Sequence, residues 1–119
     1  MRHNMRLKKD PFQLIWEGRK TIELRLFDEK RQLLQVGDKI EFEEMATAAR
    51  RITVKITRLH RFASFTQLYA ALPLEKCGYL PGEKAAPEDM LAYYSAVEQE
   101  KYGVVGIEFT VTERRGESL

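Results

Sequence analysis

The stretch that decides the fold of this chain is Gly18-Arg19-Lys20-Thr21-Ile22-Glu23-Leu24-Arg25. Gly18 stands where a residue with left-handed backbone would end a preceding helix. After it, apolar and polar residues alternate with a period of two, which is typical of a half-buried strand. We therefore predict a strand over residues 20–27 that holds Thr21, Glu23 and Arg25 in line on its polar face. An ordinary surface strand can carry such a row, but the row also suits a polar ligand with hydrogen-bonding edges.

Length and composition predict one globular domain. The chain has 119 residues, of which 44% are hydrophobic, enough for a core of its own. We expect a single domain over residues 1–119, with residues 114–119 as a frayed tail. No apolar run has the length of a bilayer span and no secretory signal is visible, so a cytoplasmic protein without a membrane partner is expected. The lone Cys77 excludes an internal disulfide and provides no metal pattern, and no cofactor or metal is expected.

The charges are unevenly distributed, although the net charge is only +2. Residues 46–74 contain no carboxylate but carry five basic side chains: Arg50, Arg51, Lys55, Arg58 and Arg61. A second basic cluster lies near the N-terminus: Arg2, Arg6, Lys8 and Lys9. Clustered cations bind the phosphates of nucleic acids, although they can also be ordinary solvated surface. From this pattern we predict phosphate contacts for Arg51, Lys55, Arg58 and Arg61 if the ligand is a polymer.

The order of predicted elements indicates an α+β fold. Asp10 followed by Pro11 is typical of a helix start, and Ser64 and Pro87 predict the beginnings of two more helices. Strands are predicted over residues 39–43 and 51–59 and at the end of the chain. Helices do not alternate regularly with strands, which argues against a doubly wound parallel sheet. We predict a small, mostly antiparallel β-barrel flanked by about three helices.

Three quoted segments resemble the ASCH domain, a family of the PUA-like group. They are the run at residues 18–25, Val36-Gly37-Asp38-Lys39-Ile40-Glu41-Phe42, and Glu100-Lys101-Tyr102-Gly103-Val104-Val105-Gly106-Ile107-Glu108-Phe109. The similarity spans residues 4–111. The resemblance implies a small β-barrel with a cleft beside it, and an RNA-associated or nucleotide-processing role.

The resemblance also implies two possible hydrolytic activities. In the branch that deacylates N4-acetylcytidine, the motif lysine activates a threonine three positions later, and a later glutamate completes the triad. Lys20 matches that lysine, but Glu23 stands at the threonine position. Thr21 supplies a nearby hydroxyl in a different register, and Glu75 is the candidate for the later carboxylate.

The second implied activity is the cleavage of single-stranded RNA. It would use the motif lysine with hydroxyl groups from elsewhere, for which Tyr94 and Ser95 are candidates. Tyrosines that could stack on a base also occur in the second half of the chain: Tyr69, Tyr79, Tyr93 and Tyr94.

The chemistry of the motif residues leaves binding and catalysis open. Lys20 suits a phosphate contact or a general base, and Arg25 suits a phosphate clamp or a partner for Glu23. Glu23 suits an acceptor for a base amine, a general base, or a salt bridge with Lys20 or Arg25. We predict a monomer or weak dimer that binds RNA, a nucleoside or a nucleotide. In the alternative, Lys20, Thr21 and Glu23 are catalytic residues of a small amidohydrolase or ribonuclease.

Overall fold

The computed structural model describes residues 1–46, 49–84 and 86–116, with the side chain of Ala92 excepted. Over these residues the chain forms five strands and three α-helices: β1 (Arg2–Leu7), α1 (Lys9–Trp16), β2 (Ile22–Leu26), β3 (Lys39–Glu44), β4 (Arg51–Phe62), α2 (Phe65–Ala71), α3 (Ala96–Tyr102) and β5 (Val104–Arg115). Short 3-10 helices cover Arg31–Leu33, Glu75–Cys77 and Pro87–Ala92. The predicted α+β class and the mostly antiparallel arrangement are confirmed.

The strands form one open sheet in the order β1-β3-β4-β5-β2. β1 pairs with β3 in parallel, and the other neighbours are antiparallel. The predicted closed barrel is wrong, because β1 and β2 are the two edges of the sheet and share no ladder. The side chain of Arg25 on β2 spans the gap instead and donates to the backbone carbonyl of Arg6 on β1 at 3.2 Å.

The core consists of two apolar clusters. The larger cluster packs α1, through Phe12 and Ile15, against the buried residues of β1, β3, β4 and β5. The smaller cluster packs α2, through Phe65 and Leu68, against Leu26 and Val104 at the ends of β2 and β5. The two clusters fix the positions of β1 and β2, and therefore the shape of the gap between them.

The helix boundaries differ in detail from those predicted. The N-cap of α1 is Lys8 rather than Asp10, which lies in the first turn without capping through its side chain. Gly18 has a φ of +81° just after the helix, as the sequence predicts. Ser64 caps α2 by accepting from the backbone N–H of Gln67.

The helix predicted to start at Pro87 is two separate elements. Pro87–Ala92 is a 3-10 helix, and α3 begins only at Ala96. The separate start of α3 has its own signal, a reciprocal capping box between Ser95 and Glu98.

The last strand is longer than predicted. β5 continues to Arg115, which pairs with Arg51, and the Arg114 side chain donates to the carbonyl of Trp16 at 2.9 Å. Arg114 and Arg115 are therefore part of the sheet rather than of a frayed tail, while residues 117–119 lie outside the described residues. Within the described part of the chain, no helix combines the length and apolarity needed to span a membrane.

Candidate functional site

A cleft of about 520 Å³ lies along the gap between the two sheet edges. It is lined by three consecutive residues of β2, Glu23, Leu24 and Arg25, and by Arg6 and Leu7 at the end of β1. Successive strand residues point to opposite faces. A cleft that touches three in a row must therefore run along the strand edge, and not over one face of the sheet.

The motif residues form a buried chain of charges in the wall of this cleft. Glu23 is 5% exposed, and its Oε1 lies 3.2 Å from Nζ of Lys20. Its Oε2 accepts from Nε of Arg25 at 2.9 Å. Lys20 also donates to the carbonyl of Cys77 at 2.9 Å. The salt bridge considered for Glu23 thus exists with both cations at once, and the unit carries one net positive charge.

This arrangement controls the ionisation of Glu23 and Arg25. Burial alone would raise the pKa of Glu23, but the neighbouring Lys20 and Arg25 outweigh it and hold that pKa below its ordinary value. Burial would lower the pKa of Arg25, but Glu23, and then Tyr94, hold it above its ordinary value. Glu23 is therefore an anion and Arg25 a cation at neutral pH.

The depressed pKa of Glu23 predicts acid-sensitive stability. A carboxylate with a lowered folded-state pKa stabilises the fold above its unfolded-state value and loses that contribution as pH falls through the folded value. We expect the free energy of unfolding to fall below pH 4.5, the ordinary pKa of glutamate here, and to fall less steeply in Glu23→Gln. Denaturant titrations from pH 7 to pH 2 measure both slopes. The comparison is needed because Asp38 and Glu113 also have lowered pKa values. If the free energy of unfolding fell equally steeply with pH in the parent chain and in Glu23→Gln, the acid sensitivity would not come from Glu23.

Because Gly78 has no side chain, it leaves room for the side chain of Lys20. It has a φ of +107°, and a Cβ added there would lie 3.3 Å from Cδ and 3.6 Å from Nζ of Lys20. Gly82 has a φ of +84° but nothing within 4 Å of such a Cβ. Alanine at either position should cost ~1–2 kcal/mol of stability through the left-handed backbone. Only Gly78→Ala should also displace Lys20 and weaken ligand binding, measured by calorimetry beside thermal unfolding. Equal binding by both variants would show that Gly78 has no such role.

Aromatic side chains converge on the same cleft. The tyrosines suggested by the sequence all line it: Tyr69, Tyr79, Tyr93 and Tyr94. Tyr94 stacks on the core residue Phe65 with ring centroids 5.8 Å apart, and Tyr69 meets the ring of Tyr79 edge-on at 5.6 Å. Tyr93 is 59% exposed, so a large part of its side chain is accessible to a ligand. The tyrosines fit the recognition of a flat, apolar-faced ligand.

The cleft contains charged groups that the sequence did not place there. The cleft is lined by Arg6 on β1 and by Lys8, which directly follows β1. Asp10 and Glu83 also line the cleft. Lys8 lies over the Tyr93 ring, with Nζ 5.0 Å from the ring centroid. The basic cluster near the N-terminus was visible in the sequence. Only the parallel pairing of β1 with β3, which makes β1 a sheet edge, brings it beside β2.

Several predicted catalytic residues do not line the cleft. Thr21 instead ties the start of β2 to its neighbours: its N–H donates to the Lys76 carbonyl at 2.8 Å, and its carbonyl accepts from Phe109 at 3.1 Å. Ser95 is occupied as the cap of α3. Glu75 begins a 3-10 helix and is exposed, whereas the carboxylate that reaches the cleft from this region is Glu83.

The predicted phosphate contacts also lie elsewhere. Arg51 pairs with Glu41 and with Glu43, the latter at 3.3 Å, and Arg61 covers the Phe27 ring at 4.1 Å. Lys55 and Arg58 are exposed on β4, in the middle of the sheet. The structure therefore brings together Lys20, Glu23 and Arg25 but not the basic residues of β4.

Among the described residues that line the cleft, none supplies a serine or threonine hydroxyl. The hydroxyl groups there belong to tyrosines, and the thiol is that of Cys77. Burial raises the pKa of Cys77 to about 11, so the unreactive thiol form predominates at neutral pH. Within the described residues, no three His, Cys, Asp or Glu side chains are grouped so that they could hold a metal ion.

Comparison with known proteins agrees with the fold. The hypothetical protein PH0355 is 32% identical, with a TM-score of 0.78 over 94% of this chain and 100% of its own. Protein PF0455 from Pyrococcus furiosus is also 32% identical, with a TM-score of 0.71 over 95% of this chain and 99% of its own. ASCH from Zymomonas mobilis shares the fold at 12% identity, with a TM-score of 0.64 over 95% of this chain and 71% of its own. No curated protein matched the sequence. The family model described as ASCH domain matches residues 5–113, and the chain therefore belongs to the ASCH domain family.

Proposed function

We propose that the cleft binds an unpaired nucleotide of RNA, or a free or modified nucleoside, without chemical conversion. The observation that carries this proposal is the convergence of cations and tyrosines from separate segments on one cleft. Its volume of about 520 Å³ is within the range of small-ligand sites and suits one nucleotide. Membership of a broadly RNA-binding family supports the same class of ligand.

The ligand groups have matching partners in the cleft. Lys20, Arg6 and Lys8 offer cationic donors for a phosphate, which supplies most of the affinity in RNA binding. Exposed Tyr93 offers a ring on which a base can stack. Glu23 holds Lys20 and Arg25 in position, since it contacts both and is itself buried.

A hydrolase is the competing function, favoured by the 3.2 Å contact between Lys20 and Glu23. An amidohydrolase of the family's threonine type would need a hydroxyl beside Lys20. The position three residues on is Glu23, and Thr21 does not line the cleft. The arrangement therefore favours a binding site.

The two functions can be separated with purified protein. We would incubate it with N4-acetylcytidine and with a labelled single-stranded RNA, beside Lys20→Met. The proposal predicts intact substrates and RNA retention that weakens with salt. Release of acetate, or cleavage of RNA, that disappears in Lys20→Met would replace the binding function by an enzymatic one. Absence of both turnover and retention would refute both.

A further inference from the structure

The register of β2 identifies the backbone groups on its free edge. The N–H of Phe109 donates to the carbonyl of Thr21 at 3.1 Å, and the N–H of Phe27 donates to the carbonyl of Gly103 at 2.9 Å. In an antiparallel pair, hydrogen-bonded and non-hydrogen-bonded positions alternate along the strand. The odd-numbered residues of this segment therefore face β5. Leu24, opposite Gly106, directs its N–H and C=O away from the sheet.

That free edge borders the cleft. Glu23, Leu24 and Arg25 line the cleft together, which places it along the strand edge. No described residue forms a hydrogen bond with the N–H or the C=O of Leu24. The Leu24 side chain packs against the smaller core cluster and anchors this part of the strand. A donor and an acceptor of the main chain are thus presented side by side in a partly enclosed cleft.

A backbone N–H and C=O of one residue require a ligand with an acceptor next to a donor. The Watson–Crick edge of a base has this pair: in uracil a ring carbonyl lies beside N3–H, and in cytosine N3 lies beside the amino group. Single-stranded RNA is commonly read on these edges. Backbone groups can therefore read a base whose ring stacks on tyrosine and whose phosphate contacts lysine.

We infer that the main chain of Leu24 hydrogen-bonds the Watson–Crick edge of an unpaired base held in this cleft. The inference rests on the proposed function and assigns the base-reading role to a residue outside the charged motif. Base pairing in a duplex occupies the same ligand atoms, so the site takes single-stranded RNA or a free nucleotide and excludes duplex.

Two neighbouring features favour the main chain of Leu24 over Glu23 as the group that recognises a base, and a base over a peptide strand as the ligand. Both carboxylate oxygens of Glu23 already bind Lys20 or Arg25, which leaves it poorly placed to read a base alone. A peptide strand could in principle pair with a free edge. The Arg25 side chain crosses the gap to the Arg6 carbonyl, and this contact interrupts the space that an added strand would need.

A ligand series tests the inference on the unmodified protein. We would titrate uridine 5′-monophosphate, its 3-methyl derivative and its 5-methyl derivative by calorimetry. A methyl at N3 removes the donor of the Watson–Crick edge, whereas a methyl at C5 has the same size on another edge. Loss of that contact and the unmatched backbone carbonyl should weaken the 3-methyl ligand about tenfold or more, with the 5-methyl ligand within about threefold.

The outcomes separate the inference from the proposed function. Equal affinity for all three ligands would overturn the inference and leave the nucleotide-binding function standing. Equal affinity for duplex and single-stranded RNA would overturn both, because the proposed function also requires an unpaired nucleotide. Binding of none of these ligands would overturn both.

A pair of variants tests the same contact from the protein side. Leu24→Pro removes the N–H, which the ladder with β5 does not use, and proline is tolerated on edge strands. Leu24→Ala shortens the side chain but keeps the N–H. With folding verified by circular dichroism, we expect about tenfold weaker binding of uridine 5′-monophosphate in Leu24→Pro relative to Leu24→Ala. Equal affinities would overturn the inference, and the ligand series decides if Leu24→Pro does not fold.

Discussion

Glu23→Ala should destabilise the fold by ~3–5 kcal/mol, the usual cost of removing one partner from a buried ion pair. Glu23 is 5% exposed and is bound by Lys20 on one oxygen and by Arg25 on the other. Its removal leaves Lys20, which is 6% exposed, without its counter-charge and close to a second cation. Chemical denaturation at pH 7 measures the change in the free energy of unfolding.

The control for this prediction is Glu100→Ala, which removes an exposed carboxylate from α3. A surface substitution of this kind should change stability by no more than ~0.5 kcal/mol. Glu23→Gln should lie between the two, because it keeps the shape and one hydrogen bond but loses the charge. If Glu23→Ala were as stable as Glu100→Ala, the charge chain would not be a stabilising element of the cleft wall.

Lys20→Met should weaken the binding of single-stranded RNA by about tenfold to a hundredfold, the value of one or two hydrogen bonds to a charged group. Methionine retains most of the buried apolar stem and removes the ammonium group. Glu23 keeps its contacts with Arg25, both shorter than 3 Å, so the wall of the cleft should persist. Fluorescence anisotropy with a labelled oligonucleotide measures the affinity at several salt concentrations.

Lys55→Met provides the matched comparison, since it is the same substitution at an exposed position of β4. We expect its affinity for a short oligonucleotide to stay within about threefold of the parent chain, less than the tenfold that corresponds to 1.4 kcal/mol. A larger loss in Lys55→Met than in Lys20→Met would place the RNA on the face of the sheet, where the sequence alone predicted phosphate contacts.

Much of the motif strand could be predicted because it depends on local pattern. The period-two alternation after Gly18 identifies β2, and the alternation itself puts Glu23 and Arg25 on one face. A salt bridge of Glu23 with Lys20 or Arg25 is one of the alternatives that the sequence leaves open, because opposite charges on one short segment are within reach of each other. The repeated Ile and Val positions likewise identified β4, although the strand extends three residues further, to Phe62.

The rest of the site depends on long-range pairing that no local pattern encodes. Barrel closure would require β1 and β2 to share a ladder, and the alternation in each strand is the same whether it is paired on one side or on both. Arg6 and Lys8 reach the cleft because β1 is an edge, and Tyr93 because Pro87–Ala92 is a separate 3-10 helix. Arg51 and Arg61 contact residues distant in sequence, Glu41 and Phe27, and neither charge counting nor spacing reveals these partners.

A chemical-shift titration of the ¹⁵N-labelled protein with uridine 5′-monophosphate shows where the ligand binds. We expect the largest shifts at amides bordering the cleft, including those of Leu24, Arg6 and Tyr93, and small shifts along β4. Largest shifts at Lys55 and Arg58, or at the separate groove of about 460 Å³ lined by α2 and α3, would contradict this expectation.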